Sequence, residues 1–140
     1  MLGAHQMVAF VATSDPDRAR TFYSEVLGLD LVDDQPYALV FEAGGTTLRV
    51  QKVPRHIPLG YTVLGWSVAD LRAAVQDLSG RGVFFERYEH LPQDEYGAWT
   101  TGEGAMVAWF KDPDGNVLSL VQHPTGAPAQ SCQGPYSSPS

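Results

Sequence analysis

One order of predicted elements occurs twice along this chain, and the duplication restricts its possible folds more than any other feature. Each copy contains an apolar strand, an amphipathic helix and three further strands; the first copy covers residues 7–53 and the second residues 61–123. Asp15 and Asp70 stand at the same point in the two copies, directly before helices whose apolar residues recur at i, i+3, i+4 and i+7. The repeated βαβββ order predicts an α+β fold.

Turn signals mark the boundaries of these elements. Gly28 and Gly80 end the helices, Gly44-Gly45 joins two strands, and Asp112-Pro113-Asp114-Gly115 joins the last two. The predicted elements are strand 7–13, a helix reaching Val26, strands 30–33, 37–42, 46–53 and 61–68, a helix over 70–79, and strands 83–88, 105–111 and 116–122. Residues 124–140 are rich in Pro, Ser and Gly without periodicity, which predicts a tail beyond a single domain of residues 1–123.

Charge and cysteine content exclude several classes of protein. Nine basic and sixteen acidic residues give a net charge of −7, which argues against nucleic acid or an anionic membrane as partner. The single cysteine, Cys132, cannot form an internal disulfide or a zinc cluster. No apolar run approaches the roughly 18 residues of a membrane span, and the N-terminus lacks a signal pattern. We therefore expect a cytoplasmic protein.

Strand alternation predicts two different faces on the sheets. One face carries large apolar side chains, among them Leu48, Val50, Leu118 and Leu120, which is typical of a face packed against helices. The other face mixes small, apolar and polar residues, as binding pockets do. Its candidate ligand-binding residues are Phe10, Arg49, Gln51, Ser67 and Ser119, and Trp109 is a further candidate as an aromatic residue on a strand expected to border the pocket.

Arg49 is the most informative of these residues, because a guanidinium on a largely apolar face needs a compensating partner. Two interpretations stay open. Arg49 binds a carboxylate, phenolate or carbonyl of a small ligand, or it pairs with a protein carboxylate such as Glu42, Glu86 or Glu103.

The loop YGAWTTGEG adds two further candidates. Trp99 lies in this loop, which could cover a binding pocket, and an aromatic ring suits a planar ligand. Core packing or an interface between subunits is the alternative for any one aromatic residue. Glu103 is a weak candidate for a general base, as is Arg49 for a catalytic role.

Two motifs give the chain a family resemblance. Residues 14–29 (SDPDRARTFYSEVLGL) and 110–120 (FKDPDGNVLSL) resemble the first helix and the last hairpin of the vicinal oxygen chelate superfamily, which includes glyoxalase I, bleomycin-resistance proteins and extradiol dioxygenases. The resemblance implies two tandem βαβββ units that form a curved mixed sheet around a cleft. It also implies a homodimer.

The same resemblance places the family's metal ligands at Val8, Arg49, Val63 and Ser119. None of these side chains is an ordinary ligand for a divalent ion, so we expect neither a metal site nor another cofactor. The chain is predicted to bind or sequester an aromatic or amphiphilic organic molecule. The alternatives are an enzyme of the same superfamily, either a metal-free isomerase or lyase or a metal-dependent glyoxalase or dioxygenase, and a structural dimer without a ligand.

Overall fold

The computed structural model of this protein describes residues 1–124, and residues 125–140, including Cys132, lie outside the described part. Two four-stranded mixed sheets and a few short helices make up the fold, which confirms the α+β class and the two βαβββ-like units. Neither sheet closes on itself. The predicted tail therefore falls, apart from Pro124, on residues without a structural description.

The first unit begins with a short 3-10 turn at Leu2–Ala4 and continues into a sheet with the strand order β1-β4-β3-β2. β1 runs parallel to β4, whereas β4–β3 and β3–β2 are antiparallel. The elements are β1 (Val8–Thr13), α1 (Pro16–Thr21), β2 (Asp30–Asp34), β3 (Ala38–Ala43) and β4 (Thr46–Lys52).

The second sheet has the corresponding order, β5-β8-β7-β6. Its elements are β5 (Thr62–Ser67), α2 (Leu71–Gly80), β6 (Trp99–Thr100), β7 (Met106–Lys111) and β8 (Val117–Gln122). The compact units do not follow the repeat completely, because the hairpin segment Lys111–Val117 belongs to the first unit with Met1–Leu64. The second unit contains Gly65–Phe110 and the described residues from Leu118 onward.

Both helices begin where the sequence predicted. The Asp15 carboxylate accepts a hydrogen bond from the Arg18 amide at 3.3 Å, and Asp70 accepts one from the Ala73 amide at 3.1 Å. These caps satisfy amide groups that the first helical turn leaves without a partner. α1 continues to Val26 as expected, but its last turn, Phe22–Val26, is a π-helix. A single wide turn of this kind commonly interrupts or ends an α-helix.

Each sheet buries the face that strand alternation had assigned to packing. Leu48 and Val50 on β4 are buried in the first unit, where the Tyr23 ring lies 5.7 Å from the Phe41 ring. In the second unit Leu118 and Leu120 are buried. Phe110 contacts both Phe85 and Trp66, at ring separations of 5.4 and 6.4 Å.

The Asp112–Gly115 turn is attached to the first unit by buried polar groups. Asp112 accepts a 2.6 Å hydrogen bond from the Tyr23 hydroxyl, and also accepts from the Asn116 side chain at 2.8 Å. Asn116 in turn donates to the Ala12 carbonyl and bonds to the His56 ring. The two motifs that carried the family resemblance therefore meet in one hydrogen-bonded network.

The predicted strand over 83–88 is wrong. This segment pairs with β7 only through an isolated bridge between Phe85 and Phe110 and a hydrogen bond from the Glu86 amide to the Trp109 carbonyl. The Gln93 side chain donates a hydrogen bond to the Glu86 carbonyl and accepts one from the Tyr88 amide. In a strand, these two backbone groups would bond to a neighbouring strand. The fourth strand of the second sheet is instead Trp99–Thr100, inside the predicted loop.

Candidate functional site

The open face of the first sheet contains Phe10, Arg49 and Gln51. Directly paired residues lie on the same side of a sheet, and Arg49 pairs with Phe10 on β1 and with Val40 on β3. Gln51 pairs with Ala12 and is exposed, Arg49 is half-buried, and Phe10 is 57% exposed. The alternation predicted for β1 and β4 is confirmed.

Arg49 bonds to an amide and not to a carboxylate. Its Nη2 donates to Gln35 Oε1 at 2.9 Å, and Gln35 Nε2 donates to the Asp33 carboxylate at 3.0 Å. Within residues 1–124 the guanidinium makes no ion pair. Of the two interpretations left open for Arg49, the pairing with Glu42, Glu86 or Glu103 is not found among the described residues, and the Glu42 carboxylate accepts a hydrogen bond from the Thr47 hydroxyl.

Sequence reasoning missed Gln35. It stands between β2 and β3, and its backbone amide bonds to the Ala38 carbonyl across the start of β3. The register of the β3–β4 hairpin then brings the Gln35 side chain close to Arg49. This register could not be predicted from a local sequence pattern.

Aromatic residues form a cluster in the second unit. The Trp99 and Trp109 rings stack with centroids 6.3 Å apart and an angle of 26° between their planes. Tyr88 meets Trp109 edge to face at 5.4 Å. All three residues are half-buried. The aromatic cluster, as we call these three residues, thus combines two predicted site residues with Tyr88, which the sequence analysis had placed in a strand without a role.

Partial burial changes the pKa of the Tyr88 hydroxyl in the aromatic cluster. The pKa of the Tyr88 hydroxyl is raised, first because the ring is partly withdrawn from water and second because the Glu86 carboxylate is near. A tyrosine hydroxyl is protonated at physiological pH even without this shift, so Tyr88 can donate a hydrogen bond. A stacked indole pair with a neutral phenol at its edge is suited to planar, weakly polar groups.

Small residues line the open face of the β5–β8 pair. A side chain at Gly65 would place its Cβ 2.6 Å from the Ser119 hydroxyl oxygen, so these two residues are direct neighbours on one face. Ser119 is half-buried, and Ser67 is exposed at the end of β5. Ser67 and Ser119 remain candidates, and neither is part of the aromatic cluster.

Glu103 lies on the turn between β6 and β7 and is exposed. Among the described residues its carboxylate makes no hydrogen bond or ion pair. Activation of a carboxylate as a general base requires surroundings that withdraw it from water, and this turn does not provide them.

The residues at the family's metal positions do not fit a divalent ion. Val8 and Val63 have no donor atom, Arg49 brings a positive charge, and Ser119 offers only a hydroxyl. The part of the chain that the structure describes also contains no group of three His, Cys, Asp or Glu residues able to hold a metal. No helix in that part is long and apolar enough to cross a membrane.

Comparison with known proteins identifies the family. The family model described as Glyoxalase/Bleomycin resistance protein/Dioxygenase superfamily matches residues 4–120. This chain belongs to that superfamily. The resemblance drawn from residues 14–29 and 110–120 is thereby confirmed. No curated protein is significantly similar to the chain.

Several solved structures of the superfamily share the fold. TnmS3, an antibiotic binding protein from Streptomyces sp. CB03234, is 30% identical and has a TM-score of 0.65, covering 86% of this chain and 97% of its own. A superfamily member from Sphaerobacter thermophilus is 25% identical with a TM-score of 0.67, covering 86% and 98%. Lactoylglutathione lyase from Agrobacterium tumefaciens, at 20% identity, TM-score 0.63 and coverage of 85% and 93%, is similar in fold alone.

Proposed function

We propose that this protein binds an aromatic or amphiphilic organic molecule and does so without a metal ion. The observation that carries the proposal is the aromatic cluster. Trp99, Trp109 and Tyr88 contact one another through their rings and are only half-buried, so each residue keeps part of its surface exposed. Stacking on such rings stabilises a planar guest by more than the burial of its area alone.

The chemistry of the superfamily's ligand positions supports the metal-independent part of the proposal. A metal-dependent member needs nitrogen or oxygen donors at the places occupied here by Val8, Arg49, Val63 and Ser119. The TnmS3 comparison supports the binding part, because that structure is of an antibiotic binding protein. Under the proposal this chain sequesters or carries its ligand.

The alternative, an enzyme of the same superfamily, lacks a comparable observation. Glu103 is exposed and without a partner in the described residues, and Arg49 is held by a neutral amide. The cytoplasmic location and the homodimer stay predictions beside the proposed binding function.

Ligand screening tests the proposal directly. Purified protein is titrated with uncharged naphthalene derivatives such as 2-naphthamide while tryptophan fluorescence and the melting temperature are recorded. Two of the three tryptophans lie in the aromatic cluster, so binding is expected to quench fluorescence, and a ligand specific for the folded protein raises the melting temperature. EDTA is expected to leave both signals unchanged.

Matched variants locate the binding site. Trp109→Leu is expected to weaken binding about tenfold, since one stacked aromatic contact contributes about 1 kcal/mol or more. Phe84→Leu is the control, because Phe84 is 76% exposed and does not contact the cluster's rings. Equal affinity of the two variants would contradict the site. Stoichiometric zinc, iron, manganese or nickel in protein purified without chelators would contradict the metal-free mode.

A further inference from the structure

Arg49 stands at the centre of the first sheet. β4 is an inner strand, and the residues that pair with Arg49 on its two neighbours are Phe10 and Val40. Paired residues point to the same side of a sheet, so two apolar side chains flank the half-buried guanidinium. A positive charge on such a surface is costly unless an anion compensates it.

Two carboxylates of the first sheet, Glu42 and Asp34, are engaged by other side chains. Glu42 accepts from Thr47. Asp34 forms ion pairs with Arg20 at 3.0 Å and with Lys52 at 2.6 Å. In residues 1–124 no carboxylate forms an ion pair with Arg49, and the Asp33 carboxylate is linked to it only through the Gln35 amide.

Gln35 holds the Arg49 side chain in place with a neutral acceptor. Because the Gln35 amide nitrogen donates to Asp33, its carbonyl oxygen is turned toward the guanidinium. This is the only hydrogen bond that the described residues make to the Arg49 guanidinium, and a guanidinium has five N–H donors. The contact orients the guanidinium and leaves most of its donors available.

We propose that Arg49 binds an anionic oxygen of a ligand, so that the open face of the first sheet takes an aromatic anion such as an arene carboxylate or a phenolate. The inference goes beyond the proposed function, because it concerns the open face of the first sheet and not the aromatic cluster. A planar guanidinium matches a carboxylate with two parallel hydrogen bonds. The exposed Phe10 ring beside it provides an apolar surface for the adjoining part of the molecule.

Two probes that differ only in charge test the proposal. 2-Naphthoate and 2-naphthamide share a ring system, and only the first is an anion at neutral pH. Calorimetric titration of the wild-type protein is expected to show about tenfold or greater preference for 2-naphthoate, the usual gain from a hydrogen bond to a charged group. Arg49→Gln is expected to bring the ratio of the two affinities to about one.

Arg55→Gln is the matched control, because it removes the same charge from an exposed position just after β4. It is expected to keep the preference, and an equal loss in both variants would show that net charge, not contact, is responsible. Arg49→Lys, expected to be intermediate, tests the proposal if Arg49→Gln does not fold.

The outcomes separate this inference from the proposed function. Equal binding of both probes by the wild-type protein would overturn the anion inference and leave the binding function standing. Binding of neither probe would overturn both. A change of sedimentation coefficient in Arg49→Gln, without any preference for 2-naphthoate in the wild type, would assign Arg49 to a carboxylate of a second copy and overturn the inference.

Discussion

Tyr23 is completely buried, and its hydroxyl donates to a carboxylate 89 residues away along the chain. Asp112 in turn is 5% exposed and also accepts from the backbone amides of Asp114 and Asn116. A carboxylate buried to this extent is tolerated only when hydrogen bonds satisfy its oxygens. Tyr23 therefore joins the first helix to the last hairpin and completes the shell of donors around Asp112.

Tyr23→Phe is expected to lower the free energy of unfolding by about 1–3 kcal/mol, because it leaves a buried carboxylate oxygen without one donor. Chemical denaturation at neutral pH measures this change. Tyr61→Phe is the control, since Tyr61 is exposed. A loss no larger than that of the control would contradict the role assigned to the Tyr23 hydroxyl.

The same residue predicts an alkaline pH dependence. Burial, together with the nearby Asp112 carboxylate, raises the pKa of Tyr23 far above its ordinary value. Above about pH 10 the unfolded chain releases this proton while the folded chain retains it, so stability falls as the pH rises. The stability advantage of the wild type over Tyr23→Phe is expected to shrink beyond about pH 10. A constant difference up to pH 11 would contradict the assignment.

For individual residues, the sequence predicted the local backbone conformation correctly but did not predict the hydrogen-bond partners of the side chains. The caps Asp15 and Asp70 and the turn at Asp112 were predictable, because capping and turn formation depend on a few consecutive residues. The bonds Tyr23–Asp112 and Arg49–Gln35 were not. They join residues whose separation in space depends on how strands pair, and no short pattern encodes that.

Among the elements, the segment that follows α2 depends most on a single side chain. Gln93 donates to the carbonyls of Glu86 and Gly97 and accepts from the Tyr88 amide. It replaces the strand neighbour that residues 86–88 lack, and so fixes the segment that carries Tyr88 into the aromatic cluster. Gln93 is thus a positioning residue for the proposed site.

Gln93→Ala is expected to accelerate hydrogen exchange at the Tyr88 amide and to weaken binding of 2-naphthamide several-fold, with a smaller effect on 2-naphthoate held at Arg49. The physical reason is that the alanine removes the acceptor of that amide and two donors of the segment. Gln76→Ala serves as the control, because the Gln76 side chain makes only a 3.4 Å contact with the Tyr96 hydroxyl. Unchanged exchange at Tyr88 would refute the positioning role.

The β5–β8 pair allows a test of packing on its open face. Gly65→Ala places a methyl group 2.6 Å from the Ser119 hydroxyl oxygen and 3.3 Å from its carbonyl oxygen, which we expect to cost about 1–3 kcal/mol. Adding Ser119→Gly is expected to recover part of the loss, since the carbonyl contact remains. Gly60→Ala, with no atom within 4 Å of the new Cβ, is the control. Thermal denaturation of these three variants and of Ser119→Gly alone would refute the contact if the effects of Gly65→Ala and Ser119→Gly on stability were additive.

For the whole molecule, the repeated βαβββ order is the feature that local patterns predicted best. Both sheets have the same strand order, with the first strand of each unit beside its last. The compact units nevertheless cross the repeat, because Lys111–Val117 belongs with the first unit. The network of Tyr23, Asp112 and Asn116 is the physical reason, since it attaches this hairpin segment to α1 and β1.

We expect a chain that ends at Pro124 to retain the fold and the proposed function. The buried core described here extends from Val11 to Leu120, so removal of residues 125–140 is expected to change the free energy of unfolding by no more than about 0.5 kcal/mol. Denaturation and 2-naphthamide titration of the shortened protein check this. A large loss of either stability or affinity would contradict a domain of residues 1–123.

The sequence by itself determined the repeated order of elements, the capped helix starts and the packing faces of the strands. These properties follow from residue type and from periodicities of 2 and 3.6 residues, which are local. Only the tertiary structure decided that Gln35 holds Arg49, that Tyr88 joins Trp99 and Trp109, and that Trp99–Thr100 replaces the strand expected at 83–88. Those outcomes depend on contacts between residues that are far apart in the sequence. Such residues come close enough to interact only when the sheets have formed.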